Sequence, residues 1–180
     1  MPPEKLPGGP TQDEIMAISL QKLGLRMTDT VLEIGCGTGK VSVAIAREVK
    51  SVISIDARPE AVLFAEKTAQ KAGAQNIRFT NIEASAFLEH AGEFDCAFIG
   101  GTKNLLSLLP SLKKRVKRTI VVNAVLLSTV ADAVAAMQEL GIFVEAVQVQ
   151  VSRSHDLAGS VMFKPIDPVW IIVGRGTACS

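Results

Sequence analysis

The chain has 180 residues, 48% of them apolar, and its 19 basic and 18 acidic residues leave a formal net charge of +1. This length suits one domain with a sizeable core, and the balanced charge disfavours a disordered chain or a protein that coats nucleic acid. The three cysteines lack the spacing of a disulfide framework or a metal site, and the apolar runs have strand length, so we expect a cytoplasmic protein without membrane contact.

The predicted elements begin after an arm over residues 1–10, which are rich in proline and glycine and open a domain spanning residues 1–180. Thr11 to Glu14 has the spacing of a capping box, in which Thr11 caps a helix that Gly24 ends. Thr30 to Ile34 is predicted as the first strand, and a glycine-rich loop leads from it into a helix that ends near Glu48.

Strands and helices then alternate along the chain. The further strands are predicted at Val52–Ile55, Ile77–Thr80, Cys96–Ile99 and Thr119–Asn123, and the further helices at Pro59–Ala72, Glu83–His90 and Thr129–Leu140. Two late strands, Phe143–Ser152 and Val169–Gly174, have no helix between them. This order predicts an α/β fold of the Rossmann-like kind, with a mostly parallel seven-stranded sheet, helices on both faces and an antiparallel strand near one edge.

The loop after the first strand has glycine at every second position, at Gly35, Gly37 and Gly39. A dinucleotide motif would need its third glycine at Lys40, and a phosphate-binding Walker loop would need glycine at Ile34. The observed spacing, with Glu33 two places before the first glycine, resembles the first motif of class I methyltransferases that use S-adenosylmethionine. Glu33 would then face the positively charged methionine end of that cofactor. Cys36 is interpreted as filling space within the loop, with Thr38 beside it.

Parallel strands end at a common edge, so the glycine loop is expected to lie beside the residues that follow the other strands. Asp56 ends the second strand, where its carboxylate is placed to bind both ribose hydroxyls or, alternatively, to serve as a turn or capping residue. Glu83 and Ala84 follow the third strand, where they either contact adenine or start the next helix.

Three further segments narrow the class: Pro7–Thr11, Phe98–Gly101 and Gly159–Ile171. Together they resemble the decarboxylating precorrin methyltransferases of cobalamin biosynthesis, and the resemblance runs from Pro7 to about Val173. One departure is Asp167, where the family commonly has asparagine before proline.

The resemblance implies a class I methyltransferase fold and methylation of carbon-15 of a corrinoid precursor, cobalt-precorrin-6B, with loss of carbon dioxide from the acetate chain on carbon-12. It also implies a homotetramer. By the same resemblance S-adenosylmethionine is held by Thr11, the loop from Gly35 to Gly39, Asp56 and Ala84.

A corrinoid substrate carries many carboxylates, so cations are expected around the site. The candidates are Lys103, Arg153, His155 and Lys164, and the same residues are the candidates for a catalytic role. His155 could donate or shuttle a proton near neutral pH, and each of the four is alternatively an ordinary surface charge. The run from Lys113 to Arg118 is expected to be a solvated face at the far end of the domain. No metal site is predicted.

Two other functions stay open at this point. A class I methyltransferase acting on RNA or protein is disfavoured by the single tryptophan, the absence of tyrosine and the balanced charge. A non-catalytic nucleotide-binding assembly protein is disfavoured by the intact glycine loop and Asp56.

Overall fold

The computed structural model describes residue 9 and residues 11–177. The proline- and glycine-rich arm and Cys179 therefore lie outside the described residues, apart from Gly9. The elements in chain order are α1 (Asp13–Leu23), β1 (Thr30–Ile34), α2 (Lys40–Ala46), β2 (Ser51–Asp56), α3 (Pro59–Ala72), β3 (Ile77–Asn81), α4 (Ala84–His90), β4 (Phe94–Ile99), α5 (Leu105–Arg115), β5 (Val116–Ala124), α6 (Leu127–Glu139), β6 (Phe143–Val149), β7 (Ser152–Leu157), β8 (Ser160–Pro165) and β9 (Val169–Arg175). Within these ranges no helix has both the length and the apolar composition needed to cross a bilayer.

Seven strands form one sheet in the order β3-β2-β1-β4-β5-β9-β6. Strands β1 to β5 pair in parallel, whereas β9 runs antiparallel to both β5 and β6. A parallel neighbour requires a long crossover connection, and no helix precedes β9, so this strand can return to the sheet only in the opposite direction. The predicted α/β architecture, with an antiparallel strand next to one edge, is confirmed.

The core consists of two apolar layers, one on each face of the sheet. Leu32 and Ile34 of β1 pack on the layer that α4, α5 and α6 cover, and Val31 packs on the layer under α1 and α2. Because successive side chains of a strand alternate between faces, Glu33 lies on the same side as Val31. The sequence thus places a carboxylate in a position that an apolar residue would otherwise occupy.

The start of α1 differs from the prediction. Gln12 is the N-cap residue and makes no side-chain capping bond, so the assignment of Thr11 as the helix cap is wrong. The first turn instead contains Asp13 and Glu14, which favour the positive end of the helix dipole. The backbone oxygen of Thr11 accepts a hydrogen bond from Nζ of Lys40 at 2.9 Å, which ties this segment to the glycine loop.

The segment between β6 and β9 also differs, because it was predicted as part of a strand followed by a loop. It forms an antiparallel hairpin of β7 and β8, which pairs with no strand of the main sheet. Ala158 and Gly159 at its tip both have positive φ, at 51° and 78°, as tight two-residue hairpin turns require. Both strands of this hairpin are exposed along their whole length.

Candidate cofactor site

The carboxyl ends of β1, β2 and β4 form the edge at which the glycine loop, Glu33 and Asp56 lie. Ile34 is in register with Ile55 on one side and with Ile99 on the other, so the loops that follow the three strands start at the same level. A pocket opens at this edge, and it is lined by Gly9, Thr11, Glu33, Gly35, Cys36, Gly37, Thr38, Lys40, Val41, Arg58, Phe98, Gly100 and Gly101.

The outer glycines of the loop are fixed by close contacts. A Cβ on Gly35 would lie 2.8 Å from the backbone nitrogen of Gly101, and one on Gly39 would lie 2.7 Å from Cα of Ala65 in α3. Both glycines also have positive φ, at 87° and 76°. Gly37 has positive φ but nothing within 4 Å of its missing side chain, so its backbone is open to a ligand.

Glu33 lies at the bottom of this pocket and is 1% exposed. The hydroxyls of Ser42 and Ser54 both donate to its Oε2, the latter at 2.6 Å. Burial raises the pKa of Glu33 to about 7, although the two serine hydroxyls act in the opposite direction. A positively charged ligand group in the pocket would favour the ionised carboxylate.

Asp56 holds the glycine loop from the end of β2. Its Oδ2 accepts the backbone N–H of Gly37 at 3.1 Å, and its Oδ1 accepts the backbone N–H of Arg58 at 3.0 Å. The guanidinium of Arg58 adds a bond to each oxygen, from Nε to Oδ1 and from Nη2 to Oδ2, both at 3.0 Å. Burial opposes ionisation, but the hydrogen bonds from Arg58 and Gly37, together with the charge of Arg58, outweigh it and lower the pKa of Asp56. Four bonds fill the carboxylate, so ribose hydroxyls would have to displace Arg58.

Arg58 was not among the predicted site residues. The sequence does point to position 58, because aspartate commonly accepts a hydrogen bond from the backbone N–H two residues further on. Lys40 was also missed; besides the Thr11 oxygen it binds Oδ1 of Asp13 at 2.7 Å. Both cations line the pocket.

Cys36 is 5% exposed and packs with Val62 and Ala65 of α3. Burial and the nearby carboxylates raise the pKa of its thiol far above the ordinary value, so a reactive thiolate is disfavoured. The structure is therefore in line with the interpretation of Cys36 as a space-filling residue.

The predicted adenine contacts lie next to the pocket without lining it. Glu83 is the N-cap residue of α4, is exposed and makes no side-chain capping bond. Ala84 begins the helix, and the preceding N–H of Ile82 donates to the backbone oxygen of Asp56 at 3.1 Å. The turn after β3 is thus fixed beside Asp56.

Three of the four candidate cations lie on the hairpin. Arg153 pairs with Lys164 and His155 with Met162, and because directly opposed residues share a face, all three cations lie on one face. Arg153 Nη2 bonds Oε2 of Glu14 at 2.7 Å, so this face turns toward the start of α1. Lys103 is exposed in the loop after Gly100 and Gly101.

The basic run from Lys113 to Arg118 lies at the opposite edge, where α5 ends and β5 begins. The prediction of a solvated face does not hold for the whole run, because Arg118 bonds the buried Asp29 at 2.7 Å. Lys113 donates to the backbone oxygen of Leu140 at 2.8 Å. These bonds stabilise the base of the fold, far from the pocket.

A mostly parallel sheet whose next-to-last strand is antiparallel, together with a glycine loop after β1 and a carboxylate after β2, defines a class I methyltransferase. Residues 7–174 match the model of the precorrin methyltransferase domain. This chain belongs to the precorrin methyltransferase family, which confirms the resemblance seen in the sequence, and it is an enzyme.

Individual relatives are similar to this chain over nearly their whole lengths. The chain is 47% identical over 176 residues to a Methanosarcina acetivorans protein named "Probable cobalt-precorrin-6B C(15)-methyltransferase (decarboxylating)", covering 95% of this chain and 96% of that protein. A solved structure of precorrin 8W decarboxylase from Methanobacterium thermoautotrophicum has a TM-score of 0.90 at 29% identity, covering 94% of this chain and 95% of the other. Precorrin-6Y C5,15-methyltransferase from Geobacter metallireducens has a TM-score of 0.88 at 27% identity, with 95% and 93% covered.

Proposed function

We propose that this protein transfers a methyl group from S-adenosylmethionine to carbon-15 of cobalt-precorrin-6B and releases the carbon-12 acetate carboxyl as carbon dioxide, in cobalamin biosynthesis. The observation that carries the proposal is the 47% identity over 95% of the chain to a protein named for this reaction. The intact glycine loop and the carboxylate of Asp56 support it from the site itself.

The residues that line the pocket, together with those of the turns beside it, fit the cofactor. We assign cofactor contacts to Thr11, Glu33, Gly35, Cys36, Gly37, Thr38, Gly39, Asp56, Glu83 and Ala84. The open backbone of Gly37 admits a ligand at close range, and Asp56 has the two oxygens that a ribose diol requires. Glu33 supplies the negative charge that a cationic methionine end requires.

When bound, S-adenosylmethionine supplies an electrophilic methyl group on a sulfonium. Transfer would form a bond between that methyl carbon and an electron-rich ring carbon while the methyl–sulfur bond breaks, with its electron pair passing to sulfur and S-adenosylhomocysteine leaving, so alignment contributes more than a strong base would. As the carboxylate leaves as carbon dioxide, the electron pair of the broken carbon–carbon bond would neutralise the positive charge that the methyl group brings to the conjugated ring. In this scheme the glycine loop and Asp56 fix the donor, and the surrounding groups hold the acceptor and exclude water.

We assign the substrate carboxylates to Arg153, His155, Lys164 and Lys103. The first three share the hairpin face that turns toward α1, and Arg153 already binds a carboxylate there, that of Glu14. Arg153→Ala and Lys164→Ala are expected to raise KM for the corrinoid without changing cofactor affinity. Lys114→Ala, at the opposite edge, is the matched control, and equal KM values in all three variants would identify the hairpin cations as ordinary surface charges.

The other face of the hairpin supports a homotetramer. It carries Val161 and Phe163, each 64% exposed, which is unusual for a face that stays in water. We propose that these residues contact other subunits, which light scattering on Phe163→Ser would test through a loss of mass. We further propose that the protein is cytoplasmic, acts without nucleic acid or membrane, and forms a single domain over residues 1–180. The free thiols of Cys36 and Cys96 fit a reducing compartment.

The decisive experiment is mass spectrometry of cobalt-precorrin-6B before and after incubation with the protein and S-adenosylmethionine. A methyl group gained and a carboxyl group lost have separate mass signatures, so each half of the reaction is read independently. Cofactor binding without a change in any corrinoid would overturn the proposal and favour an RNA or protein substrate, which a gel shift with bulk RNA would detect. Absence of cofactor binding in calorimetry would favour a non-catalytic assembly role.

A further inference from the structure

Three consecutive apolar residues stand in solvent directly after β5. Val125, Leu126 and Leu127 are 60%, 62% and 69% exposed, and we call them the apolar lip. Leu106 of α5, also exposed, lines a second cavity with residues from the start of α6, among them Thr129 and Asp132. Contiguous exposed apolar side chains, unlike single ones, are typical of binding surfaces.

The register of the sheet places the apolar lip after the strand next to the one that leads into the glycines lining the cofactor pocket. Ile99 of β4 is opposite Val122 of β5, so Asn123 and Ala124 stand level with Gly100 and Gly101. Gly100 and Gly101 line the cofactor pocket, and the second cavity begins at the next residue, Thr102. Neighbouring strands are roughly 5 Å apart, so the ends of β4 and β5, from which the two segments start, lie one strand spacing from each other.

Folding gives no reason for leucine at this point. Leu126 is the N-cap residue of α6, it makes no side-chain capping bond, and the first turn contains no acidic residue. Serine, threonine, aspartate and asparagine are the residues that stabilise this position. This segment therefore lacks a capping side chain and also leaves its apolar side chains unburied. A binding role would explain both departures from what folding favours.

We propose that the apolar lip is the surface on which the ring of the methyl acceptor lies, with Leu106 beside it; this rests on the proposed function. A tetrapyrrole is a broad, largely apolar disc with carboxylates at its periphery. The apolar lip contacts the disc and excludes water, while the hairpin cations bind the periphery. The acceptor is thereby held level with Gly100 and Gly101, beside the methyl donor.

Binding can be measured without turnover, because Trp170 is the single tryptophan of the chain and stands opposite Ala124 in the sheet, next to the apolar lip. Cobalt-precorrin-6B absorbs visible light, so its binding to protein saturated with S-adenosylhomocysteine would quench Trp170 fluorescence. The test variants are Leu126→Ser and Leu127→Gln. The matched control is Leu63→Gln, an exposed leucine on α3, which packs against β2 and β3 at the other end of the sheet.

We expect each test variant to raise the corrinoid Kd roughly tenfold, the loss typical of removing one buried leucine contact. S-adenosylhomocysteine affinity and the control should be unchanged. Leu126→Ser supplies a favourable cap, so its melting temperature should not fall, which separates a binding role from a folding role.

Two results would overturn the assignment of the apolar lip alone: wild-type Kd in both test variants, or a change of subunit number in place of a change in Kd, which would make this face a contact between copies. If the wild-type protein binds S-adenosylhomocysteine but shows no quenching with the corrinoid, the proposed substrate itself is wrong, and the assignment of the apolar lip is wrong with it.

Discussion

The two halves of the pocket edge are built differently. The cofactor half, formed by the glycine loop, Glu33 and Asp56, is buried, and each of its carboxylates already accepts hydrogen bonds from the protein. The proposed acceptor half, formed by the apolar lip and the hairpin, leaves its apolar side chains largely in solvent: those of the apolar lip are 60–69% exposed.

This difference indicates two ways of binding. The cofactor half is preorganised, so its residues serve the fold and the ligand together, and a substitution there should affect stability and affinity at once. The acceptor half contributes little to folding, so a substitution there should affect binding alone. Each of the following predictions tests one side of this comparison.

The largest effect is expected for Asp56→Ala. The variant loses the two oxygens proposed to bind the ribose diol, and charge-assisted hydrogen bonds contribute roughly 1.5–3 kcal/mol each. Cofactor affinity measured by calorimetry should therefore fall roughly 100-fold or more. Melting temperature should fall too, because Gly37 loses its acceptor. Asp156→Ala, an exposed carboxylate on the hairpin, is the control, and equal cofactor affinity in both variants would show that Asp56 does not bind ribose.

Gly39→Ala tests whether the loop is fixed by packing. Its new Cβ would lie 2.7 Å from Cα of Ala65 while φ stays near 76°, so we expect a loss of roughly 2–3 kcal/mol in the free energy of unfolding. Gly159→Ala in the hairpin has a similar φ, 78°, but nothing within 4 Å, and it isolates the cost of the backbone conformation. Urea unfolding of both variants gives the comparison; equal losses would mean that Ala65 imposes no constraint.

The contrast between buried and exposed regions also explains which elements can be predicted from the sequence. Buried elements have strong patterns, and the observed bounds of β1 and α3 match the predicted ones. The hairpin was missed because β7 reads Ser-Arg-Ser-His-Asp-Leu, and a strand exposed on both faces has no apolar alternation to reveal it. The bonds between Arg58 and Asp56 depend on side-chain rotamers, and the position of the apolar lip depends on the register between β4 and β5. Neither quantity is encoded in local spacing.

Glu33→Gln tests the buried carboxylate through pH. With its pKa raised from 4.5 to about 7, folded Glu33 keeps a proton that the unfolded chain has already released. The unfolded chain therefore binds fewer protons between these two values, and wild-type stability falls as the pH rises from about 5 to 8. Glutamine cannot ionise, so the variant should lack this decline, which is on the order of 3 kcal/mol.

Urea unfolding at pH 5 and pH 8 measures this difference, with Glu66→Gln, an exposed glutamate of α3, as control. The Glu33→Gln variant should also bind S-adenosylmethionine more weakly than the wild-type protein at pH 8, since glutamine cannot supply the negative charge. A decline with pH in Glu33→Gln equal to that of the wild-type protein would place the titrating group elsewhere.

The smallest effect, and the only gain in affinity, is expected for Arg58→Ala. The guanidinium donates one hydrogen bond to each oxygen of Asp56. Two ribose hydroxyls need the same two acceptor positions. Its side chain is 41% exposed, so breaking the pair costs only about 1 kcal/mol, and its removal should tighten cofactor binding roughly fivefold. Raising the salt concentration should tighten binding to the wild-type protein and leave the variant unchanged, because salt screens the ion pair that competes with the cofactor. Arg47→Ala, an exposed arginine after α2, is the control. Weaker binding in Arg58→Ala would show instead that the guanidinium contacts the bound cofactor, and the preorganised half would then extend to this side chain.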